Sequence, residues 1–534
     1  MKIRYVQAFT VRASLVLVTS AHLAVAQANS PFSIQPSAMP RVGSVDERFQ
    51  SYNIEMVEVT GGRFWKPYAS QAAANAGPVT PPKAPSANQP VGMDPNLYQY
   101  RPPIDLTNAR LRKLAAALGP AYVRVSGTWA NTTYFQTTDG PAPEKPPAGF
   151  NSVLSPKEWK GVVDFAHAAN AEIVTSFATS AGTRDPSGAW TPAQAEAFMA
   201  FTKASGGNIA AAEYMNEPTF AEMGGAPKGY DAAAYARDVA AFRTFARQDA
   251  PGILLLGPGG VGEGSSLVPA SMHLLSTNDL LTATGSVFDA FSYHSYGGVS
   301  SRCGAFGASS TTSPAAALSD DWLANPDRVE QYYSAIRDRL APGKPIWLTE
   351  TAQTACGGDR WASTFLDSFR YLNQLGDLAK RGVQVQMHNT LASSDYGLLD
   401  ENTFAPRPNY WAALLWRKLM GTTVLDAGAS PAASLHLYAH CLRNHAGGVV
   451  VLAINADRTG AQSFDLPIAA DRYTLTAPDL MGTHVQLNGS ELELGAADAL
   501  PSLKGEVAKQ GRITLAAVSI TFLAFPEAAN ASCR

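Results

Sequence analysis

Ala211-Ala212-Glu213-Tyr214-Met215-Asn216-Glu217-Pro218 is a short run that closes on a carboxylate and is stopped by proline, and an amphipathic stretch, Asp231–Gln248, follows it. A strand that feeds a helix through a charged loop is one unit of an α/β fold. The unit recurs on both sides of this stretch. Strand candidates cover Asn53–Glu58, Ala121–Ser126, Glu172–Ala178, Ala211–Asn216, Gly252–Gly257, Ala290–Tyr296, Pro345–Glu350 and Val383–Asn389. Helix candidates between them, such as Asp105–Leu118, Pro156–Asn170, Thr191–Ser205, Pro326–Leu340 and Ser363–Lys380, are mostly opened or closed by Asp, Ser, Thr, Pro or Gly. Eight such units predict a (β/α)8 TIM barrel. Beyond about Leu419 the helical period stops, and runs such as Ser434–Tyr438, Gly448–Ile454, Tyr473–Ala477 and Ile513–Ala524 predict an appended C-terminal β-sandwich. We read 51–420 as the barrel, 421–534 as the sandwich and 27–50 as an N-terminal segment that contributes to the sandwich. Lys66–Pro95, rich in Ala, Pro and Gly, is expected to be a long loop in the first unit.

At 534 residues and 46% hydrophobic content the chain can bury a large core. A net charge of −3 marks neither a nucleic-acid binder nor a membrane-surface protein, so any grip on a polyanion must come from local Lys and Arg. Residues 1–26 have a signal-peptide layout: Lys2, Arg4 and Arg12 precede the apolar stretch Ala13–Ala26, which ends in Ala24-Val25-Ala26. Export to the periplasm or the medium is therefore expected, and the apolar run is too short for a membrane span. Four cysteines enter a compartment that permits disulfides. Cys303 and Cys356 fall in the loops after strands six and seven, neighbours on one barrel face, and Cys441 and Cys533 both fall in the sandwich. The expected bridges are Cys303–Cys356 and Cys441–Cys533. No CxxC pair exists and the histidines do not cluster near the cysteines at ligand spacing, so neither metal nor cofactor is expected. The chain is read as a monomer.

Strand four runs into Glu217, and strand seven ends at Glu350. The carboxyl ends of barrel strands form the active-site face, so both glutamates should enter one cleft. Two carboxyl groups facing each other suit glycoside hydrolysis, with Glu217 as acid/base and Glu350 as nucleophile. They must differ in protonation, Glu217 raised by burial and by the charge opposite it, and Glu350 kept ionised by hydrogen bonds. A single glutamate at a strand end is more often a solvated loop carboxylate; the pair is what points to chemistry. Arg124 and Glu213 lie within strands, where a buried charge needs a partner; either they pair as scaffold, or Arg124 keeps Glu350 ionised. His294 and Tyr296, ending strand six, suit a contact to the nucleophile or the substrate, and a structural histidine is the alternative.

The stretches Asn216-Glu217-Pro218, Glu350-Thr351-Ala352-Gln353-Thr354-Ala355-Cys356-Gly357-Gly358, Tyr396-Gly397-Leu398-Leu399-Asp400-Glu401-Asn402 and Pro408-Asn409-Tyr410-Trp411 resemble the heparanases and their glycoside hydrolase family 79 relatives. Val485-Gln486-Leu487-Asn488-Gly489, Tyr438-Ala439-His440-Cys441 and Cys533 extend the resemblance into the sandwich, and the Cys441–Cys533 pair is similar to that family's bridge. The resemblance implies a clan A retaining β-glucuronidase. It implies that Gly357, Gly358 and Tyr396 hold the glucuronate carboxylate, that Asn216 bonds the sugar 2-hydroxyl, and that Glu55, Thr128 and Asn131 bind other hydroxyls. Backbone N–H groups of glycines can approach an anion closely, although a plain turn is the alternative for Gly357-Gly358. In this chain Cys356 stands where the family has tyrosine. Strict strand alternation would turn Asn216 away from the side that Glu217 faces, so a kink before Pro218 is expected. The expected substrate is an acidic polysaccharide such as heparan sulfate, cut internally, with Arg184, Arg302 and Arg360 as anion contacts. The alternatives are an exo-acting β-glucuronidase releasing terminal glucuronate, another barrel glycosidase, and a carbohydrate-binding protein without catalysis.

Overall fold

A computed structural model of the chain describes residues 32–534 except 69–89, 91–92, 139, 142, 144, 266, 269–271, 273 and 307–310. The signal peptide expected at 1–26 and most of the Lys66–Pro95 loop lie outside the described residues. Eight strands close a barrel: β1 (Gln50–Glu55), β2 (Ala121–Ser126), β3 (Ala171–Ser176), β4 (Ile209–Glu213), β5 (Leu254–Gly260), β6 (Ala290–Tyr296), β7 (Ile346–Ala352) and β8 (Val383–His388). They pair in chain order, each parallel to the next, and β8 closes on β1. The first strand sits three residues earlier than expected. Met56–Thr60 forms a short helix whose Glu58 carboxylate accepts the Glu55 backbone N–H at 2.7 Å, and this capping box ends β1 at Glu55.

Side chains alternate along a strand, so residues two apart stack in layers inside the barrel. Tyr122, Val174, Ala211, Leu256, Ala290, Trp347, Val385 and Met387 form an apolar floor. One step of two toward the carboxyl ends places Arg124, Glu213, Ser292 and Thr349 above Tyr122, Ala211, Ala290 and Trp347, and all four are buried. The period that makes the floor apolar therefore stacks a charged layer directly beneath the rim.

Arg41–Ser44 pairs antiparallel with Met420–Leu425, the first of a series of C-terminal strands that completes a nine-stranded sheet. Gln462–Leu466 and Gly511–Leu515 form a second, two-stranded sheet. Val449–Asn455 is buried along its whole length. Val449, Val451 and Ala453 share a core with Phe464 and Leu515 of the small sheet, whereas Val450, Leu452 and Ile454 belong to the core shared with the barrel. A strand covered on both faces needs no polar alternation, which explains its continuous apolar run. The barrel side of that core includes Phe365, Phe369 and Leu372 of the helix Phe365–Lys380. In the same helix a Cβ on Gly376 would come 2.3 Å from the Tyr438 ring, and the Tyr438 hydroxyl donates to Asn373 Oδ1 at 2.7 Å.

Disulfides join Cys303 to Cys356 and Cys441 to Cys533. Among the described residues no helix is long and apolar enough to cross a membrane.

Candidate active site

The charged layer centres on Arg124, whose side chain is fully buried. Its Nη2 donates to Glu213 Oε2 at 2.8 Å and to Asn216 Oδ1 at 2.7 Å, and its Nη1 donates to Glu350 Oε2 at 2.9 Å. The pairing with Glu213 posed for this arginine is present, and the same guanidinium also bonds Glu350. Glu213 also accepts the hydroxyls of Ser292 and Thr349, each at 2.8 Å. Burial opposes its ionisation, but the Arg124 charge and the hydrogen bonds from Arg124 and Ser292 bring its pKa below the ordinary carboxylate value.

Glu217 follows β4 with φ 47° and ψ 61°. This left-handed conformation, costly for a residue other than glycine by about 1–3 kcal/mol, is the kink that lets Asn216 and Glu217 serve the same site. Asn131 holds it in place: its Oδ1 accepts the Asn216 N–H at 2.9 Å and its Nδ2 donates to the Asn216 carbonyl at 3.0 Å. Glu350 follows Thr349, and register shifts on both sides of β7 accompany its turn toward the barrel axis. Tyr296 donates its hydroxyl to Glu350 Oε1 at 2.5 Å, so both oxygens of that carboxylate carry a donor.

His294 connects the pair. Its Nδ1 lies 3.0 Å from Glu217 Oε1, and its Nε2 lies 3.3 Å from Arg124 Nη2. A guanidinium can only donate, so Nε2 can only accept in this contact, and a ring with its proton on Nδ1 would donate to Glu217. Burial pushes the His294 pKa down to about 4, which keeps the ring neutral. Burial also lifts Glu217 to about 7, with the Arg124 charge opposing and the Glu213 charge assisting. One oxygen of Glu217, one of Glu350 and His294 Nδ1 lie within 4.8 Å of one another. That spacing could hold a cation, but the Arg124 charge bonded to Glu350 opposes one there.

Glu55, Thr128, Tyr296 and Tyr396 line one cavity together with Glu217 and Glu350. Burial and the Glu350 charge raise the Glu55 carboxyl well above its ordinary range. The fit is tight, because a Cβ on Gly127 would come 1.4 Å from Glu55 Oε2. Asn216 does not line the cavity, and among the described residues its buried Nδ2 has no hydrogen-bond partner. Asn131 and His294 do not line the cavity; they position Asn216 and Glu217. The glycine pair also sits behind the lining, which here is Ala355 and Cys356. The Gly358 N–H is committed to the Thr354 carbonyl at 3.2 Å. A Cβ on Gly357, where φ is 83°, would meet Ser394 Oγ at 2.5 Å and Trp65 Cβ at 2.6 Å, so glycine is required there for close packing.

Asn389 escaped the sequence reading. It donates to the hydroxyls of Tyr296 and Tyr396, each at 3.2 Å, and leaves the Tyr396 proton available to the cavity. Its signal was the one that singled out Glu350, a polar residue closing a barrel strand. Two expected anion contacts are engaged elsewhere. Arg184 is buried against Asp238 at 2.7 Å, and Arg302 bonds Asp395 and the carbonyls of Lys66 and Gly358 with its side chain 2% exposed. Arg360 is exposed and stacks over the Tyr68 ring at 4.7 Å.

Residues 103–376, just over half of the chain, match the family model of the glycosyl hydrolase family 79 N-terminal domain, and the chain belongs to that family. It is 27% identical over 378 residues to heparanase-like protein 1 of Arabidopsis thaliana, covering 66% of this chain and 65% of that one. It is 31% identical over 191 residues to baicalin-beta-D-glucuronidase of Scutellaria baicalensis, covering 34% of this chain and 36% of that one. Both matches span less than two thirds of the relative's length. A 4-O-alpha-L-rhamnosyl-beta-D-glucuronidase structure from Fusarium oxysporum superposes with a TM-score of 0.61 at 15% identity, covering 92% of this chain and 100% of that one, which shows a shared fold.

Proposed function

We propose that this protein is an exported, retaining β-glucuronidase in which Glu350 is the nucleophile and Glu217 the acid/base. The observation that carries the reading is the carboxyl pair with oxygens within 4.8 Å. Retaining enzymes hold their two carboxyl groups about 5–5.5 Å apart, and a pair with one oxygen of each within 4.8 Å is compatible with that spacing. Glu350 attacks the anomeric carbon as the C1–O bond breaks and the Glu217 proton passes to the leaving oxygen. Water, deprotonated by Glu217, then attacks the glycosyl ester and releases Glu350. A Glu217 pKa of about 7 suits both halves of the cycle, since the group must give a proton and take one back. Asn216 Nδ2 is the donor available to the sugar 2-hydroxyl, and the Tyr396 hydroxyl a donor available to the glucuronate carboxylate. Glucuronate as the sugar rests on the similarity to baicalin-beta-D-glucuronidase, and export on the two disulfides and the N-terminal pattern of Lys, Arg and apolar residues.

Of the two cleavage modes, internal cutting of a heparan sulfate-like polymer asks for free cations along the cleft. Arg184 and Arg302 are bound inside the protein, and among the described residues no Lys or Arg lines the cavity. That favours release of a terminal glucuronate. Proton NMR of the first product tests retention: the β-anomer is expected, and α-glucuronate would overturn the mechanism. Sizing of heparan sulfate products tests the mode. Free glucuronic acid with chain length nearly unchanged is expected, and early intermediate-sized chains would reverse it.

A further inference from the structure

The cavity has two unlike halves. Around Glu350 it carries the polar groups of Glu55, Thr128, Tyr296, Asn389 and Tyr396, set among Trp65, Tyr98, Trp129 and Cys356. Beyond Glu217 it is formed by Phe220 and Met223 from the loop after β4, Val261, Leu267 and Val268 from the loop after β5, and Val299 from the loop after β6. The loops after β4 and β5 are tied into one wall. Thr219 Oγ1 donates to the Val261 carbonyl at 3.1 Å and accepts its N–H at 3.1 Å, and the Leu275 N–H donates to the Thr219 carbonyl at 3.2 Å. A Cβ on Gly262 would meet Val268 Cγ2 at 2.7 Å and Phe220 Cε2 at 3.5 Å, so these side chains close against each other. Glu263, the acid of this loop, is engaged by the Thr277 N–H and hydroxyl. The whole stretch 261–276 contains no Lys or Arg.

The proton donor must sit beside the leaving oxygen, so the group leaving with that oxygen occupies the Glu217 half. We infer that this half is an aglycone site for an uncharged apolar alcohol or phenol, such as an aryl or cycloalkyl group, and that Phe220, Met223, Val261, Leu267, Val268 and Val299 select for it over a second, sulfated sugar. The inference rests on the β-glucuronidase reading and adds the class of leaving group to it. A sugar there would leave its hydroxyls facing aliphatic side chains, losing hydrogen bonds to water without replacement. A hydrocarbon gains about fourfold for each methylene it buries.

The test compares kcat/KM of the full chain for methyl β-D-glucuronide, cyclohexylmethyl β-D-glucuronide and β-D-glucuronyl-(1→4)-N-acetylglucosamine. The first two leave as primary alcohols, so a difference between them reports binding of the aglycone. The cyclohexylmethyl compound should exceed the methyl one by at least about 30-fold, and the disaccharide should exceed it by no more than a few fold. Met223→Gln and the near-isosteric Val299→Thr should each cut kcat/KM for the cyclohexylmethyl compound severalfold more than for the methyl one. A disaccharide preferred over the cyclohexylmethyl glucuronide, or equal rates on the two alkyl glucuronides, overturns the apolar site and leaves the glucuronidase reading standing. No turnover of any of the three overturns that reading, and the inference with it.

Discussion

At the residue scale the site is a set of charges sorted by burial and by one arginine. Arg124 holds Glu213 as an anion and also bonds Glu350, and Glu217, 15% exposed in its side chain and bonded among the described residues to a neutral histidine, keeps its proton to about pH 7. The alkaline limb of kcat/KM for a glucuronide with a poor leaving group should therefore fall above about pH 7, and in Glu217→Gln that limb should vanish along with most of the activity. Stability follows the same group. The folded pKa of Glu217 is raised from 4.5 to about 7, so its contribution is full below pH 4.5 and is lost as pH rises through 7. Glutamine mimics the protonated form. Thermal melts should thus show Glu217→Gln more stable than the parent at pH 8, by up to about 3 kcal/mol, and equal to it at pH 4. A variant equally stabilised at both values would mean that charge is not the cause.

At the element scale the rim loops are fastened individually. The Cys303–Cys356 bridge joins the loop after β6 to the loop after β7, whose Ala355 and Cys356 line the cavity, and Arg302 beside it holds the Gly358 carbonyl. The Cys441–Cys533 bridge lies in the sheet region, away from the cleft. Each bridge should contribute about 2–4 kcal/mol to stability. Their effects on catalysis should differ: Cys303→Ser/Cys356→Ser should raise KM severalfold, whereas Cys441→Ser/Cys533→Ser should lower the melting temperature and leave KM unchanged. Equal KM effects from the two pairs would show that the first bridge does not organise the cleft.

At the scale of the whole molecule the barrel and the sheet share a core. Val450, Leu452, Ile454, Ile520 and Phe522 of the sheet belong to the cluster that holds Phe365, Phe369 and Leu372 of the barrel helix. Removing the sheet would expose that helix, which is buried along almost its entire length. A chain ended after Leu419 should be insoluble or should bind a hydrophobic dye, and the full chain should melt in one calorimetric transition. A soluble truncated barrel with native circular dichroism would show that the two parts are independent.

The sequence alone determined the repeat of strand and helix, the change to a β region near Leu419, and the two glutamates at strand ends, because each is written in local periodicity and in the chemistry of single positions. It also placed Cys303 beside Cys356, since topology orders the rim loops. The end of the first strand was misplaced because the Glu55–Glu58 capping box stops a run that its β-branched residues would extend. Tertiary structure decided the rest. Whether Arg184 and Arg302 face a ligand or an internal acid depends on partners 54 and 93 positions away, and whether Gly357 and Gly358 offer their amides or their shape depends on Trp65, Thr354 and Tyr396 around them. Nothing in the order of residues marks Phe220, Met223, Val268 and Val299 as one wall. Three loops bring them together, and only their packing beside Glu217 makes an apolar surface out of side chains that are unremarkable one at a time.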